Sequence, residues 1–299
     1  MPEEAEGDQW LIEELVTQYS DLEQDLRQIF VEGPSDQSII AWFLEEHGLD
    51  SGNVLEISSV FVPSDIVKSK ELEVNARGRV IALGIVMSEL LDGETRETPI
   101  CVADRDDNAL LGIESNYGRS VLFTDYTSME MYAFNERSMR KILRLTIQKQ
   151  ADAEQVLAHL APALIDIFLV RTVLHRGWRI KILKEPRRCC RITQTGIEVD
   201  WQDLATRSLT GSSVRPLPQT AEVVDRVETL RQQLPSEPRL AMHGHDFGHL
   251  FWWYTREALK YQDLDEDIVN RIVFTAFESG DLSQYPLFTE ILRRMTTPL

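Results

Sequence analysis

Carboxylates follow directly after three apolar runs that have the character of strands. The acids in question are Glu32 after 27–31, Asp104 and Asp106 after 99–103, and Asp125 and Glu130 after 118–123. Because the C-terminal ends of parallel strands lie along one edge of a sheet, these acids are expected to converge. Like charges within about 4 to 6 Å raise each other's pKa unless a cation is present. The pattern therefore predicts a cation site, and Mg²⁺ suits it because this ion prefers oxygen ligands and keeps waters or phosphate oxygens in its other positions.

The elements that must position these acids alternate along the first half of the chain. Apolar strand-like runs at 27–31, 54–62, 99–103 and 118–123 are separated by helical patterns, among them 78–91 and 129–145. This order predicts an α/β fold with a mainly parallel sheet covered by helices on both faces. Beyond residue 150 long helical patterns dominate, interrupted by a strand-like stretch at 178–183. We therefore divide the chain into an acidic N-terminal arm (1–26), an α/β domain (27–150) and a mainly helical C-terminal domain (151–299).

Positive charge is concentrated in one segment of an acidic chain. The formal net charge is -18, yet residues 137–191 contain 13 Lys or Arg against four Asp or Glu. This segment is a candidate phosphate-contacting surface. The alternatives are a solvated face that balances an acidic neighbour and a docking face for an acidic protein. The residues predicted to contact nucleic acid are Lys141, Arg144, Arg176, Arg179, Lys181, Arg187 and Arg188.

Hydropathy and cysteine usage indicate a cytoplasmic protein. The longest apolar stretches are broken by polar residues well short of the roughly 20 residues that a membrane helix needs, so no span is expected. The acidic N-terminus lacks the basic start and apolar run of a signal peptide. Cys101 and the adjacent Cys189 and Cys190 have neither disulfide-framework nor zinc-ligand spacing, which favours reduced thiols.

A histidine-rich stretch near the C-terminus offers a second candidate site. His243, His245 and His249 lie within eight residues, and His245 and His249 would share one helix face. Zinc is one interpretation, but no Glu or Cys follows at a diagnostic spacing, which favours a structural role with His245 as an accessory group. The sequence contains no G-x-x-x-x-G-K-[ST] and no G-x-S-x-G. P-loop nucleotide hydrolysis and acyl transfer are therefore unsupported.

Four short motifs resemble those of Toprim-fold enzymes. They are FVEGPSD (30–36), VADRD (102–106), DYTSME (125–130) and GHD (244–246). A Glu-Gly after the first strand and an Asp-x-Asp after the third form the metal-binding pattern of that fold, and Asp36 matches an acid or polar position that follows the Glu-Gly. The chain most resembles the Toprim-like nucleases that act as effectors of ATPase-coupled phage-defence systems such as PARIS, which are related to the overcoming-lysogenization-defect nucleases.

This resemblance implies metal-dependent cleavage of phosphodiesters by a toxic effector. Glu32 would act as general base or orient a metal-bound water, Asp104 and Asp106 would hold Mg²⁺ with Mn²⁺ as the alternative ion, and Glu130 would complete the shell or hold a second ion. RNA, particularly tRNA, is the expected substrate, with an ABC-type ATPase as partner and a homodimer as the active form. The resemblance also implies a basic residue near the scissile phosphate. Arg140, Lys141 and Arg144 all qualify by position, so this role is left unassigned. A non-catalytic docking module is the alternative, and a primase-like or phosphotransfer enzyme ranks third.

Overall fold

A computed structural model describes residues 7, 9–22, 26–91, 99–113 and 116–296. The strands in this part of the chain are short. They are β1 (Trp10–Leu11), β2 (Ile29–Val31), β3 (Val54–Glu56), β4 (Val60–Phe61), β5 (Ile100–Ala103), β6 (Val121–Phe123), β7 (Cys190–Thr193) and β8 (Gly196–Val199).

The helices make up most of the remaining regular structure. They are α1 (Ile12–Thr17), α2 (Pro34–Glu46), α3 (Ser64–Ser69), α4 (Ala76–Leu90), α5 (Glu136–Lys141), α6 (Ala153–Trp178), α7 (Trp201–Thr210), α8 (Thr220–Arg231), α9 (Gly244–Glu257), α10 (Glu266–Thr275), α11 (Ser279–Leu282) and α12 (Pro286–Thr296).

The central sheet has four parallel strands in the order β3-β2-β5-β6. Every residue of β2 and β5 is buried, which explains why these two strands are apolar throughout instead of alternating. The predicted α/β fold with a parallel sheet flanked by helices is therefore confirmed.

The sheet is held against α4 by close backbone packing at Gly84. A Cβ at this position would lie 2.4 Å from Val121 Cγ2 and 3.1 Å from Cys101 Cβ. Only glycine allows the helix to approach β5 and β6 this closely. At its start, α4 is capped by Asn75, whose side chain accepts a hydrogen bond from the Gly78 N–H at 2.8 Å.

Several predicted elements differ in the structure. The stretch 54–62, predicted as one strand, is interrupted by a 3-10 turn at Ile57–Ser59, and β4 pairs with β1 outside the central sheet. The stretch 178–183 is not a strand; a β7–β8 hairpin occurs further along instead. The helix predicted over 129–145 is divided into a 3-10 turn at Met129–Ala133, α5, and a π-helical turn at Ile142–Thr146.

The chain forms two compact units, and neither is continuous in sequence. Unit 1 comprises Met1–Arg105, Ser115–Asp125 and Glu278–Leu299, and unit 2 comprises Asp106–Glu114 and Tyr126–Phe277. Unit 1 thus contains the central sheet together with α11 and α12. The predicted division into 1–26, 27–150 and 151–299 follows the sequence order, whereas the chain passes between these two units four times.

Within unit 1, α12 packs on the helix that follows β2. The ring of Phe288 meets Phe43 of α2 edge-on, with centroids 4.8 Å apart. Arg294 of the same helix donates a hydrogen bond to the Arg119 carbonyl at 2.6 Å. These contacts explain why a C-terminal helix belongs to the same unit as the N-terminal strands.

Unit 2 is organised around the long helix α6. By length and composition α6 could cross a membrane, but its apolar face packs against α8, α9 and β8, and more than half of its most apolar window is buried. This packing is typical of a helix that forms part of a domain core. Cytoplasmic localisation stays a prediction.

Candidate active site

Two of the predicted acids meet at the edge of the central sheet. Glu32 follows β2 and Asp104 follows β5, and these neighbouring strands are paired in parallel with Phe30 opposite Cys101. The backbone N–H of Asp104 donates a hydrogen bond to Glu32 Oε1 at 2.8 Å. Both residues are half-buried. The structure therefore brings together, within unit 1, the first acids of the Glu-Gly and Asp-x-Asp motifs.

A cation that the sequence did not single out lies beside this pair. Arg77, in the first turn of α4, donates a hydrogen bond from Nε to the Asp104 carbonyl at 2.8 Å. Its guanidinium lies 5.8 Å from the ring centre of Phe123, at the end of β6. The candidates named for this role, Arg140, Lys141 and Arg144, belong to unit 2. Asn75 is a typical N-cap residue and indicates that α4 begins at Ala76. This signal in the sequence could have placed Arg77 in the first turn of the helix.

The turn after β2 places a third acid in the same unit. Gly33 is extended and precedes α2, and Asp36 lies in the first turn of that helix. The N-terminal end of a helix carries partial positive charge, which favours a carboxylate at this point. Asp36 is half-buried. Its accessory role stays a prediction.

The second acid of the Asp-x-Asp motif, Asp106, begins a segment that belongs to unit 2. Asp106 has a left-handed backbone with φ of 50°, and its N–H donates to the Thr127 carbonyl at 2.9 Å. The next residue, Asp107, is buried and accepts a hydrogen bond from Arg176 Nε at 2.9 Å. Left-handed conformations are tolerated by Asp better than by most residues, so this bend is compatible with the sequence.

Glu130 lies in a polar cluster of unit 2. A Cβ built on Gly244 would come within 2.1 Å of Glu130 Oε2 and 2.5 Å of Ser128 Oγ, so the carboxylate and the hydroxyl both lie against the backbone at the start of α9. The next two residues of the GHD motif differ in exposure, because His245 is exposed and Asp246 is only 4% exposed. Asp246 accepts two hydrogen bonds from Arg171, at 2.6 and 2.7 Å. GHD therefore serves partly to hold α6 and α9 together.

The three histidines of this stretch have separate surroundings. Burial, and after it the positive charge of the nearby Arg171, lowers the pKa of His243 to about 4. The rings of His243 and His245 are 5.4 Å apart, but His249 Nδ1 lies 2.7 Å from Glu266 Oε1. Across the described ranges, no group of three or more His, Cys, Asp or Glu side chains has an arrangement that could hold a metal ion.

Several arginines of the basic segment are bound to carboxylates. Arg176 is paired with Asp107, Arg187 with Glu266 at 2.7 Å, and Arg188 with Glu185. Arg187 also stacks over the Trp252 ring, 4.6 Å from its centre, and this packing matches a structural role for that tryptophan. Asp107 and Glu266 lie outside 137–191, so these two pairs offset part of the excess positive charge counted from the sequence.

The other predicted nucleic-acid contacts are spread over different elements. Lys141 ends α5 and is half-buried, and Arg144 is exposed in the π-helical turn that follows. Arg179 caps α6 with a left-handed φ of 58° and is exposed, as is Lys181. All four lie in unit 2, and their role in binding nucleic acid stays a prediction.

Comparison with known proteins adds no relative. No family model matches the chain, and no curated protein matches it either.

Proposed function

We propose that this protein is a Mg²⁺-dependent nuclease that cleaves phosphodiester bonds. The observation that carries the proposal is the pairing of Glu32 with Asp104 at the ends of adjacent parallel strands, with Arg77 bound to the backbone of the pair. Ligands of open α/β sheets bind at this edge. Carboxylate oxygens at such an edge are the type of ligand that a divalent cation such as Mg²⁺ prefers.

The donor set fits magnesium. Glu32 and Asp104 supply carboxylate oxygens from a half-buried edge, and Mg²⁺ is usually held by one or two carboxylates with waters and phosphate oxygens in its other positions. When bound, such an ion activates a water and stabilises the charge that develops on a phosphodiester. The resemblance adds Asp106 and Glu130 as ligands. Both belong to unit 2, so their part in the site rests on the resemblance alone.

The residues around the pair have defined tasks in this proposal. The Asp104 N–H fixes one oxygen of Glu32, which limits the orientations that the carboxylate can adopt. Arg77 holds the Asp104 carbonyl and brings a permanent positive charge to the sheet edge. That charge would favour the approach of a phosphate and would slow the dissociation of the bound phosphate. Glu32 is the group that would accept or orient a water proton.

The biological setting follows from the resemblance. We propose RNA, and tRNA in particular, as substrate, a toxic effector role in antiviral defence, an ABC-type ATPase that keeps the nuclease inactive until infection, and a homodimer as the active form. The second candidate is a non-catalytic docking or regulatory module of such a complex. The ion pairs of Arg176, Arg187 and Arg188 favour this alternative, because they neutralise positive charge that a substrate surface would use.

One cleavage assay separates the two candidates. Purified wild type, Glu32→Gln, Asp104→Asn and the control Asp65→Asn are incubated with total tRNA or with plasmid, with Mg²⁺ or with chelator, and with or without the ATPase partner. Asp65 is an exposed acid of unit 1 in the first turn of α3, so its substitution tests for a general effect of lost charge. We expect metal-dependent cleavage by wild type and Asp65→Asn, and a loss of roughly 100-fold or more in both active-site variants. Equal activity in all four proteins would contradict the nuclease proposal.

A further inference from the structure

A cleft of about 470 Å³ lies in unit 1 between the end of α4 and the segment that precedes β6. Its volume falls within the range of about 300–1,000 Å³ that is typical of small-molecule sites. The described residues that line it include a hydroxyl, a carboxylate, an amide, an aromatic ring and a guanidinium, from Ser88, Glu89, Asn116, Tyr117 and Arg119. The cleft therefore offers hydrogen-bonding groups and an aromatic surface to the same small molecule.

This cleft lies at the opposite edge of the central sheet from the proposed nuclease site. Glu32 and Asp104 follow β2 and β5, whereas residues 116–119 precede β6, which is parallel to β5. The last turn of α4, with Ser88 and Glu89, comes before the chain returns to the start of β5. The cleft is therefore separate from the Glu32–Asp104 pair, although both belong to unit 1.

Hydrogen bonds tie the segment before β6 to α4 and so hold the two walls of the cleft together. The Ser120 N–H donates to Ser88 Oγ at 3.1 Å, and Ser88 Oγ donates to the Gly84 carbonyl at 2.7 Å. The Arg119 guanidinium donates to the Leu91 carbonyl just after α4. Because these bonds form without a ligand, the cleft is pre-organised, which lowers the entropic cost of binding.

Tyr117 and Glu89 supply the contacts that distinguish one ring compound from another. The half-buried Tyr117 ring packs against Phe123, with centroids 5.9 Å apart, and an aromatic side chain can stack on any nucleobase. Glu89 is exposed and accepts a hydrogen bond from Lys70 at 2.6 Å, but a carboxylate has about four acceptor positions and no donor. It therefore selects a base with neighbouring donors, and among the RNA bases guanine has them, at N1 and N2.

We propose that this cleft binds a guanine nucleotide. The base stacks on Tyr117 and donates hydrogen bonds from N1 and N2 to the Glu89 carboxylate. The guanidinium of Arg119 has five N–H donors, so it can keep its bond to the Leu91 carbonyl and still attract the phosphate. The site does not depend on the proposed nuclease function, because none of its residues belongs to the Glu32–Asp104 edge.

The test measures nucleotide binding by the full chain with the proposed catalytic acids removed. The Glu32→Gln/Asp104→Asn double variant is titrated calorimetrically, in the presence of a chelator, with the monophosphates of guanosine (GMP), inosine (IMP) and adenosine (AMP). We expect GMP to bind roughly tenfold more tightly than IMP, which lacks the 2-amino donor. AMP should bind more weakly still, because its N1 is an acceptor that faces a carboxylate. These probes contain no phosphodiester bond, so failure of the nuclease proposal would not alter this result.

Three variants in the same background make the test specific. Glu89→Gln should weaken GMP binding roughly tenfold and reduce the difference between GMP and AMP, whereas Tyr117→Leu removes the stacking ring and should weaken both roughly tenfold. The control Glu46→Gln, at an exposed acid of α2, should leave every affinity unchanged. Because Glu89 is exposed, Glu89→Gln also covers the case in which Tyr117→Leu does not fold. No GMP bound at millimolar concentration, equal affinity for GMP and AMP, or GMP affinity unaffected by Glu89→Gln would each overturn the proposal.

Discussion

In unit 1, Glu32 and Asp104 bring two carboxylates to one edge of a parallel sheet, whereas in unit 2 Arg171, Arg176 and Arg187 are each bound to a carboxylate. Opposite charges that are paired contribute to structure and can be replaced without loss of chemistry. Carboxylates at the C-terminal edge of a parallel sheet lie where open α/β folds bind their ligands. On the proposed function, chemistry is expected at the sheet edge of unit 1 and not in the arginine-rich segment.

The largest expected effect on stability comes from breaking a buried pair in unit 2. Asp246→Ala leaves the partly buried guanidinium of Arg171 without its carboxylate. We expect the free energy of unfolding to fall by about 3 kcal/mol, measured by urea denaturation. The control is Glu198→Ala, which breaks the exposed pair with Arg191 and should change stability by no more than about 0.5 kcal/mol. A loss of no more than about 0.5 kcal/mol in Asp246→Ala would show that the Arg171–Asp246 pair is not structural.

Overpacking at Gly84 tests how firmly the sheet of unit 1 positions its acids. Gly84→Ala would press a methyl group against Val121 and Cys101, and we expect a loss of about 1–3 kcal/mol in the free energy of unfolding. Gly280→Ala is the matched control, because a Cβ there meets nothing within 4 Å. If Gly84→Ala left the free energy of unfolding unchanged, α4 would be able to move away from the sheet without loss of stability.

Arg77 extends the comparison between the two units. This cation of unit 1 donates a hydrogen bond to the backbone carbonyl of Asp104, whereas the arginines of unit 2 named above donate to carboxylates. Arg77→Ala removes the hydrogen bond to Asp104, and we expect the turnover rate for nucleic-acid cleavage to fall roughly tenfold with little change in KM. Arg77→Lys keeps the charge without the planar guanidinium, so it should recover part of the rate. A rise in KM at constant kcat would instead assign Arg77 to uniform substrate binding.

The smallest expected effect is on the pH dependence of stability, and it comes from the ion pairs that Glu290 forms within unit 1. Hydrogen bonds from Arg293 and Arg294 lower the pKa of Glu290 from 4.5 to about 2. Because the folded-state pKa is the lower one, the ion pairs stabilise the fold above about pH 4.5, and this contribution is lost as the pH falls towards 2. Glu290→Gln should therefore lower the thermal midpoint at pH 7 and make it less sensitive to pH between 4.5 and 2. An unchanged pH profile would contradict this assignment.

The sequence was informative where local pattern decides structure. The apolar runs of β2 and β5 end in acids, and in a parallel sheet the ends of neighbouring strands must meet, so the approach of Glu32 to Asp104 could be predicted. The bounds of α4 were predicted to within two residues at its start and one at its end.

Other features depend on partners that are distant in sequence. A count of positive charge in 137–191 does not reveal that Arg176 meets Asp107 or that Arg187 meets Glu266. The β7–β8 hairpin was missed because its loop, 194–195, lacks the Asn-Gly type of turn signal. The association of α12 with unit 1 arises from contacts such as Phe288 on Phe43, which no local pattern encodes.

The most direct test of the central claim is a calorimetric titration of the full chain with Mg²⁺. Wild type, Glu32→Gln and the control Asp65→Asn are compared at equal ionic strength, with circular dichroism to establish that each is folded. If the carboxylates at the sheet edge of unit 1 bind the ion, Glu32→Gln will weaken Mg²⁺ binding roughly tenfold or more while Asp65→Asn retains wild-type affinity. Superimposable isotherms for wild type and Glu32→Gln would contradict the account.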